Sequence, residues 1–206
     1  MYKTHGIDCQ QYAQRSAENL SDVILMVVLS IQQNWLGVGD QMADVRKLKA
    51  KSRFLWGNKA KTYKYLKANK RRLYTEMMAI IGDDVRIADG IKAKQLMDLF
   101  LDVDGLGLPK AGFVCQLTAG LVGCMDVHNI RRLGVDPKTL SLSKKPKTAK
   151  GIAANDRRIR DYVNLCHDYG TEELWNTWCD FLSTKSAKWQ DGNHLSEVHY
   201  SYLIGK

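Results

Sequence analysis

Apolar residues in the first third of the chain return at helical steps. Leu20, Val23, Ile24, Val27, Val28 and Ile31 recur three and four positions apart, so a helix over about 10–35 would gather them on one face. Its middle is apolar nearly all round, as in a central, buried helix, and Trp35-Leu-Gly-Val-Gly39 interrupts it. A second stripe, Tyr63, Leu66, Leu73, Met77 and Ile80, predicts a helix over 59–81. A third, Ile87, Ile91, Leu96, Leu99 and Phe100, predicts one from an Asp83-Asp84 cap to about Val103. Val135 to Lys150 is polar, lysine-rich and holds Pro137 and Pro146, and reads as a surface loop. Helices over 152–169 and 171–183 follow. Glu172 and Glu173 sit in the first turn of the latter, where the helix dipole favours them, and Trp175, Trp178, Phe181 and Leu182 form its apolar face. The mixed tail 188–206 carries no clear period. The sum is an all-α protein without internal repeats.

Composition adds little until charge is located. Hydrophobic residues make up 45% and charged residues 26% of the 206, ordinary for a globular protein. The longest aliphatic run, Val23 to Leu29, is too short to cross a bilayer, and no signal-peptide pattern opens the chain. An intracellular protein with no membrane partner is expected, in the cytoplasm or nucleoid or in a phage-infected host cell. Cys9, Cys115, Cys124, Cys166 and Cys179 stand singly, which predicts reduced thiols packed as small apolar groups. The net charge of +9 is concentrated: Arg46 to Arg72 holds twelve basic residues and no acidic one, while the remaining nineteen are outnumbered by the 22 acids. Such clustering suits a polyanion, with nucleic acid first and an anionic membrane second. The plainer account is a solvated face. Tyr63, Tyr65 and Tyr74 lie among the charges; helical spacing places Tyr63 in the core and leaves Tyr65 open to base stacking.

The informative segment is Val103-Asp-Gly-Leu-Gly-Leu-Pro-Lys-Ala111, followed by an apolar helix and then Met125-Asp-Val-His-Asn-Ile-Arg-Arg132. Gly105 and Gly107 flank Leu106 in a short turn between helical patterns, and Pro109 suits the first turn of the next helix. Free amides at that start, with the helix dipole, make a site for one phosphate.

This segment resembles the hairpin of the helix-hairpin-helix DNA glycosylase superfamily, the group of endonuclease III and the alkyl-base glycosylases. The family hairpin reads L-P-G-[VI]-G-x-x-x-A, with a D-[VT]-H-x-x-R-like segment a little under twenty residues on; here Asp126-Val-His-Asn-Ile-Arg131 stands seventeen residues after Pro109. The resemblance covers about thirty residues. It implies an all-α helix-hairpin-helix bundle, one unit over 1–206 or two sub-lobes (about 20–100, and 101–206 with the N-terminal segment) flanking a cleft for double-stranded DNA. It implies Asp126 as the catalytic carboxylate of a base-excising N-glycosylase; as an isolated residue, Asp126 reads equally as a helix cap, and in this family the two roles can coincide. Gly105, Leu106, Gly107, Lys110, Ala111, His128 and Arg131 would hold the DNA, with Lys64, Lys67 and Arg71 from the basic helix.

Two departures shape the expectation. Family members that also nick the strand carry a lysine two residues after the second hairpin glycine, where this chain has Pro109, which cannot be a nucleophile. Lys110 lies one position later, about 100° around the helix, and stands only as a secondary catalytic candidate. An iron–sulfur cluster needs four closely spaced C-terminal cysteines, and only Cys166 and Cys179 follow the Asp126 segment, so no cluster and no other cofactor is expected. Asp104 replaces the hairpin's usual proline, an acid beside a phosphate site. His194, Glu197 and His199 are too poorly spaced for a metal pair on one helix face. Two other functions fit the same residues. One is a phage-type transferase acting on modified bases during DNA hypermodification; the other is a helix-hairpin-helix DNA-binding protein without catalysis.

Overall fold

The computed structural model describes residues 7–33, 35–82, 89–143, 146–184 and 200–205. Among them the chain is all-helical: α1 (Ile7–Ala13), α2 (Ala17–Leu29), α3 (Val38–Leu48), α4 (Gly57–Gly82), α5 (Asp89–Leu101), α6 (Leu108–Thr118), α7 (Val127–Leu133), α8 (Ala149–Tyr169) and α9 (Thr171–Ser183). No helix among the described residues is long and apolar enough to cross a membrane. Every side chain from Val23 to Leu29 is buried, as its all-round apolar sequence requires, and α2 packs against α1, α3, α4 and α6. Buried residues from α1 through α9 join one continuous core.

The single helix expected over 10–35 is two helices and a turn. Ser16, in extended geometry, accepts the Asn19 amide on its hydroxyl and starts α2 afresh. Ser30 ends it by donating its hydroxyl back to Val27 O, and Gln32 then takes φ +55. Short polar side chains thus redirect backbone groups at both ends of the apolar run. Helix α3 was absent from the expectation. Val38, Met42 and Val45 are buried at helical spacing, but a glycine at the N-cap, another in the first turn and a basic end hide so short a stripe.

Other boundaries differ less. Ile91 is 55% exposed, because α5 turns Ala93, Leu96, Met97 and Phe100 inward instead; Asp83, Asp84 and Ile87 lie outside the described residues. The expected loop 135–150 contains a 3₁₀ turn, Pro137–Leu140, that buries Leu140, with Asp136 capping it. Tyr63 and Ile80 pack at the edge of the core rather than within it. In the tail, a helical turn over 200–204 buries Leu203 and packs Tyr202 on Gly39 and Trp35. All five cysteines are free and buried; burial pushes the Cys166 and Cys179 thiols up to about 12 and raises the other three as well.

Candidate active site and basic groove

The hairpin joins α5 to α6 over residues 102–107. Gly105 has φ +94, a conformation that favours glycine. Its turn packs against the start of α4, where an added Cβ would meet Thr62 Oγ1 at 2.7 Å and Asn58 O at 3.0 Å. The Thr62 hydroxyl also donates to Asp104 O at 2.5 Å. Gly105 is therefore required by packing against protein, not by the approach of a phosphate. Gly107 is the open position: it is exposed, extended and has nothing within 4 Å of an added Cβ. The Gly107 and Leu108 amides have no acceptor among the described residues, so the start of α6 keeps two donors and the positive end of its dipole.

The loop that leads into the second half of the motif packs against the helix that follows the first. Between α6 and α7 runs a largely buried loop, 121–126, without regular structure, and interior side chains satisfy its backbone. Gln116 Oε1 accepts from the Cys124 amide at 3.1 Å. The Tyr162 hydroxyl accepts from the Met125 amide at 3.0 Å and donates to Gly123 O at 3.0 Å. Asn129 Nδ2 donates to Cys124 O at 2.7 Å and to Leu174 O at 3.2 Å. All three of these side chains are buried. These bonds give four backbone groups of the loop a buried partner, while Asn129 Oδ1 is left buried without one among the described residues. Gly112 makes room for the loop: a Cβ there would lie 2.4 Å from Tyr162 Oη and 2.6 Å from Gly123 O. Cys124 Sγ lies 3.6 Å from Pro109 O, which ties the loop to the first turn of α6.

Asp126 ends that loop as the N-cap of α7. Its Oδ1 accepts both the His128 amide at 2.9 Å and the Asn129 amide at 3.0 Å. Its Oδ2 has no partner among the described residues, and the side chain is half-exposed. The carboxylate is thus held in orientation by one oxygen with the other available. Asp126 lines none of four surface cavities of about 520, 160, 680 and 410 Å³.

The remaining expected site residues divide. Lys110 does not extend from the hairpin: its ammonium donates to Ser30 Oγ at 3.2 Å and sits 5.6 Å over the Phe113 ring. Beside it Lys59 is buried, donating to Leu29 O at 2.9 Å; burial and the neighbouring Lys110 charge lower its pKa. Both lysines cap the C-terminus of α2, where the dipole favours cations. Ala111 is buried and spends its amide on Gly107 O, and Leu106 packs on the core edge. His128 is stacked on Phe181 at 3.9 Å and, with the exposed Arg131, lines the 520 Å³ cavity on the α9 side of α7. His194, Glu197 and His199 lie outside the described residues.

The basic stretch divides between residues that hold the fold and residues left at the surface. Four of its members serve the fold: Arg46 pairs with Asp22 and donates to Tyr202 O and Leu203 O, and Lys70 pairs with Glu18. Arg72 binds Glu76, Asp102 and the Tyr65 hydroxyl, and Lys59 caps α2. Helix α4 faces the hairpin with Asn58 and Thr62 and faces α2 and α3 with Tyr63, Lys67 and Lys70. Lys64 and Lys67 line a groove of about 410 Å³ on that second side, with Lys49, Ala50, Leu55, Ala60 and Tyr63. Lys64, Lys67 and Arg71 are exposed and carry no ion pair among the described residues. The groove was missed because one side of it, Lys49 and Ala50, comes from the turn after α3, a helix the pattern did not reveal. No family model, curated protein or solved structure matches this chain.

Proposed function

We propose that this chain is a monofunctional DNA N-glycosylase of helix-hairpin-helix type, which hydrolyses the N-glycosidic bond of a base flipped out of duplex DNA. The observation that carries the reading is Asp126, a carboxylate anchored through Oδ1 by two amides, with Oδ2 unclaimed, at the end of a loop fixed from the interior. Bond cleavage builds positive charge on the deoxyribose, and a carboxylate fixed in this way stabilises that charge or takes a proton from the attacking water. The amides of Gly107 and Leu108 and the start of α6 supply a phosphate contact that positions the duplex without reading sequence. Pro109 stands where lyase members carry their lysine, and Lys110 is engaged with Ser30, which together favour hydrolysis over strand cleavage.

The test is incubation with duplexes carrying damaged, mismatched and modified bases, read both by alkali-labile cleavage and by intact mass. Abasic sites on one substrate class, absent with Asp126→Asn, are the expected result. A gain of mass on the base would replace the reading with a transferase on the same scaffold. Duplex binding with no change in any substrate would replace it with a non-catalytic binding protein.

A further inference from the structure

The groove beside α4 has a composition unlike that of the hairpin. Lys49, Lys64 and Lys67 stand at its rim, and no carboxylate lines it. Its floor is apolar, built from Leu55 and Ala60 with the half-buried Tyr63 as one wall. Tyr63 and Lys67 also line a neighbouring notch of about 160 Å³. That notch contains Glu18 and Asp22, but both are neutralised by ion pairs, with Lys70 and Arg46. A cationic path therefore runs over Tyr63 from one recess to the next.

We infer that this groove binds single-stranded nucleic acid, with phosphates on Lys49, Lys64 and Lys67 and an unstacked base against Tyr63 and Leu55. Cations on a rim alone would fit any polyanion. The recessed apolar floor selects among them, because it gains from contact only with a ligand that presents apolar or π surface beside its negative charge. Single strands do so, since aromatic stacking and phosphate pairing combine along the backbone. An intact duplex hides its base faces in the stack and offers the groove only phosphates. An acidic peptide offers charge without a planar face.

Lys49 gives a second, independent sign. It ends α3 at φ +53 and ψ −129, a conformation that costs a lysine and that glycine adopts freely. Strained residues of this kind cluster at ligand sites, where the side chain is worth more than the relaxed backbone. Here the strain places an exposed ammonium at the rim of the groove. The inference does not rest on the glycosylase reading, because the groove and Asp126 share no residue.

The experiment is fluorescence anisotropy of labelled oligothymidylate against the intact protein at several salt concentrations, with a duplex of equal length and polyglutamate as comparisons. Oligothymidylate is expected to bind more tightly than polyglutamate, with affinity falling as salt rises, and duplex binding, which the hairpin supplies, is expected to be insensitive to the groove variants. Lys64→Gln/Lys67→Gln is expected to weaken it at least tenfold and reduce the salt slope by about 1.4. Lys138→Gln/Lys150→Gln removes equal charge elsewhere and is expected to change affinity by less than threefold. Lys49→Gly is expected to weaken binding while Tm holds or rises, and Tyr63→Leu to weaken it with the salt slope unchanged. Equal binding of polyglutamate, duplex binding lost to the same degree as oligothymidylate binding in Lys64→Gln/Lys67→Gln, or equal loss from the two double variants, would overturn the inference. Abasic-site formation is scored separately, so failure of that assay with oligothymidylate binding intact removes the glycosylase reading and leaves the groove standing.

Discussion

The Asp126 loop and the α4 groove solve opposite problems with opposite materials. Around Asp126 the side chains are uncharged and buried, and Gln116, Tyr162 and Asn129 each satisfy backbone groups of one short loop. Around the groove the lysines are exposed above an apolar lining, with no ion pair holding Lys64 or Lys67 among the described residues. A buried hydrogen bond fixes an atom's position; an exposed lysine sweeps its charge through a volume. The first arrangement suits chemistry at one bond, and the second suits a backbone of variable sequence. Charge density alone, which marks only the groove, would have pointed away from the more ordered site.

Substitutions can break that contrast at its strongest point first. Gly112→Ala forces a Cβ into Tyr162 Oη and Gly123 O, and since the carbonyl cannot swing aside, a loss of about 1–3 kcal/mol in urea unfolding is expected. Gly107→Ala, with open space around it, is expected to stay within about 0.5 kcal/mol while weakening duplex binding. Tyr162→Phe removes one hydroxyl, leaves the buried Met125 amide without its acceptor and leaves Gly123 O with only the weak Cys166 thiol donor. It is expected to cost about 1–3 kcal/mol and to slow turnover by loosening the loop that carries Asp126. On the groove side, Lys64→Gln should leave unfolding unchanged within about 0.5 kcal/mol, so a charge-site variant that unfolds the protein would erase the distinction.

The smallest expected effect lies away from both regions. Lys94 joins α5 to α8 by pairing with Asp156 at 2.8 Å, and the hydrogen bond from Lys94 holds the Asp156 pKa below its usual 3.8. A carboxylate whose folded pKa is depressed adds stability above its unfolded pKa and loses it as pH falls towards the folded value. Asp156→Asn should therefore be slightly less stable than the parent at pH 6. The gap should close below pH 3.8 and narrow in high salt, measured by urea midpoints across pH.

Much of this was legible in the residues, and the reasons for the gaps are specific. Helix α8 has its Thr148 cap and α9 its first-turn carboxylates in register with their apolar faces, so pattern and local chemistry agree there. Gly107 and Asp126 were visible because turn glycines and N-caps are local devices, and Asp126 does cap α7. Gly105 was visible as a turn residue, but its reason was not, since Thr62 and Asn58 come from a helix more than forty positions earlier. The same distance hid the diversion of Lys110 onto Ser30. In the basic stretch the sequence shows twelve charges of equal weight. Only tertiary contacts separate Arg46, Lys59, Lys70 and Arg72, which hold the fold, from Lys49, Lys64 and Lys67 at the groove.

The central claim is that Asp126 both caps α7 and performs chemistry, and Asp126→Asn separates the two. Asparagine caps a helix about as well as aspartate, so Tm and duplex affinity should hold while abasic-site formation on the responsive duplex falls by about 10²–10⁴-fold. Parent-like turnover in the asparagine variant, with its fold intact, would contradict the account and leave Asp126 a cap alone.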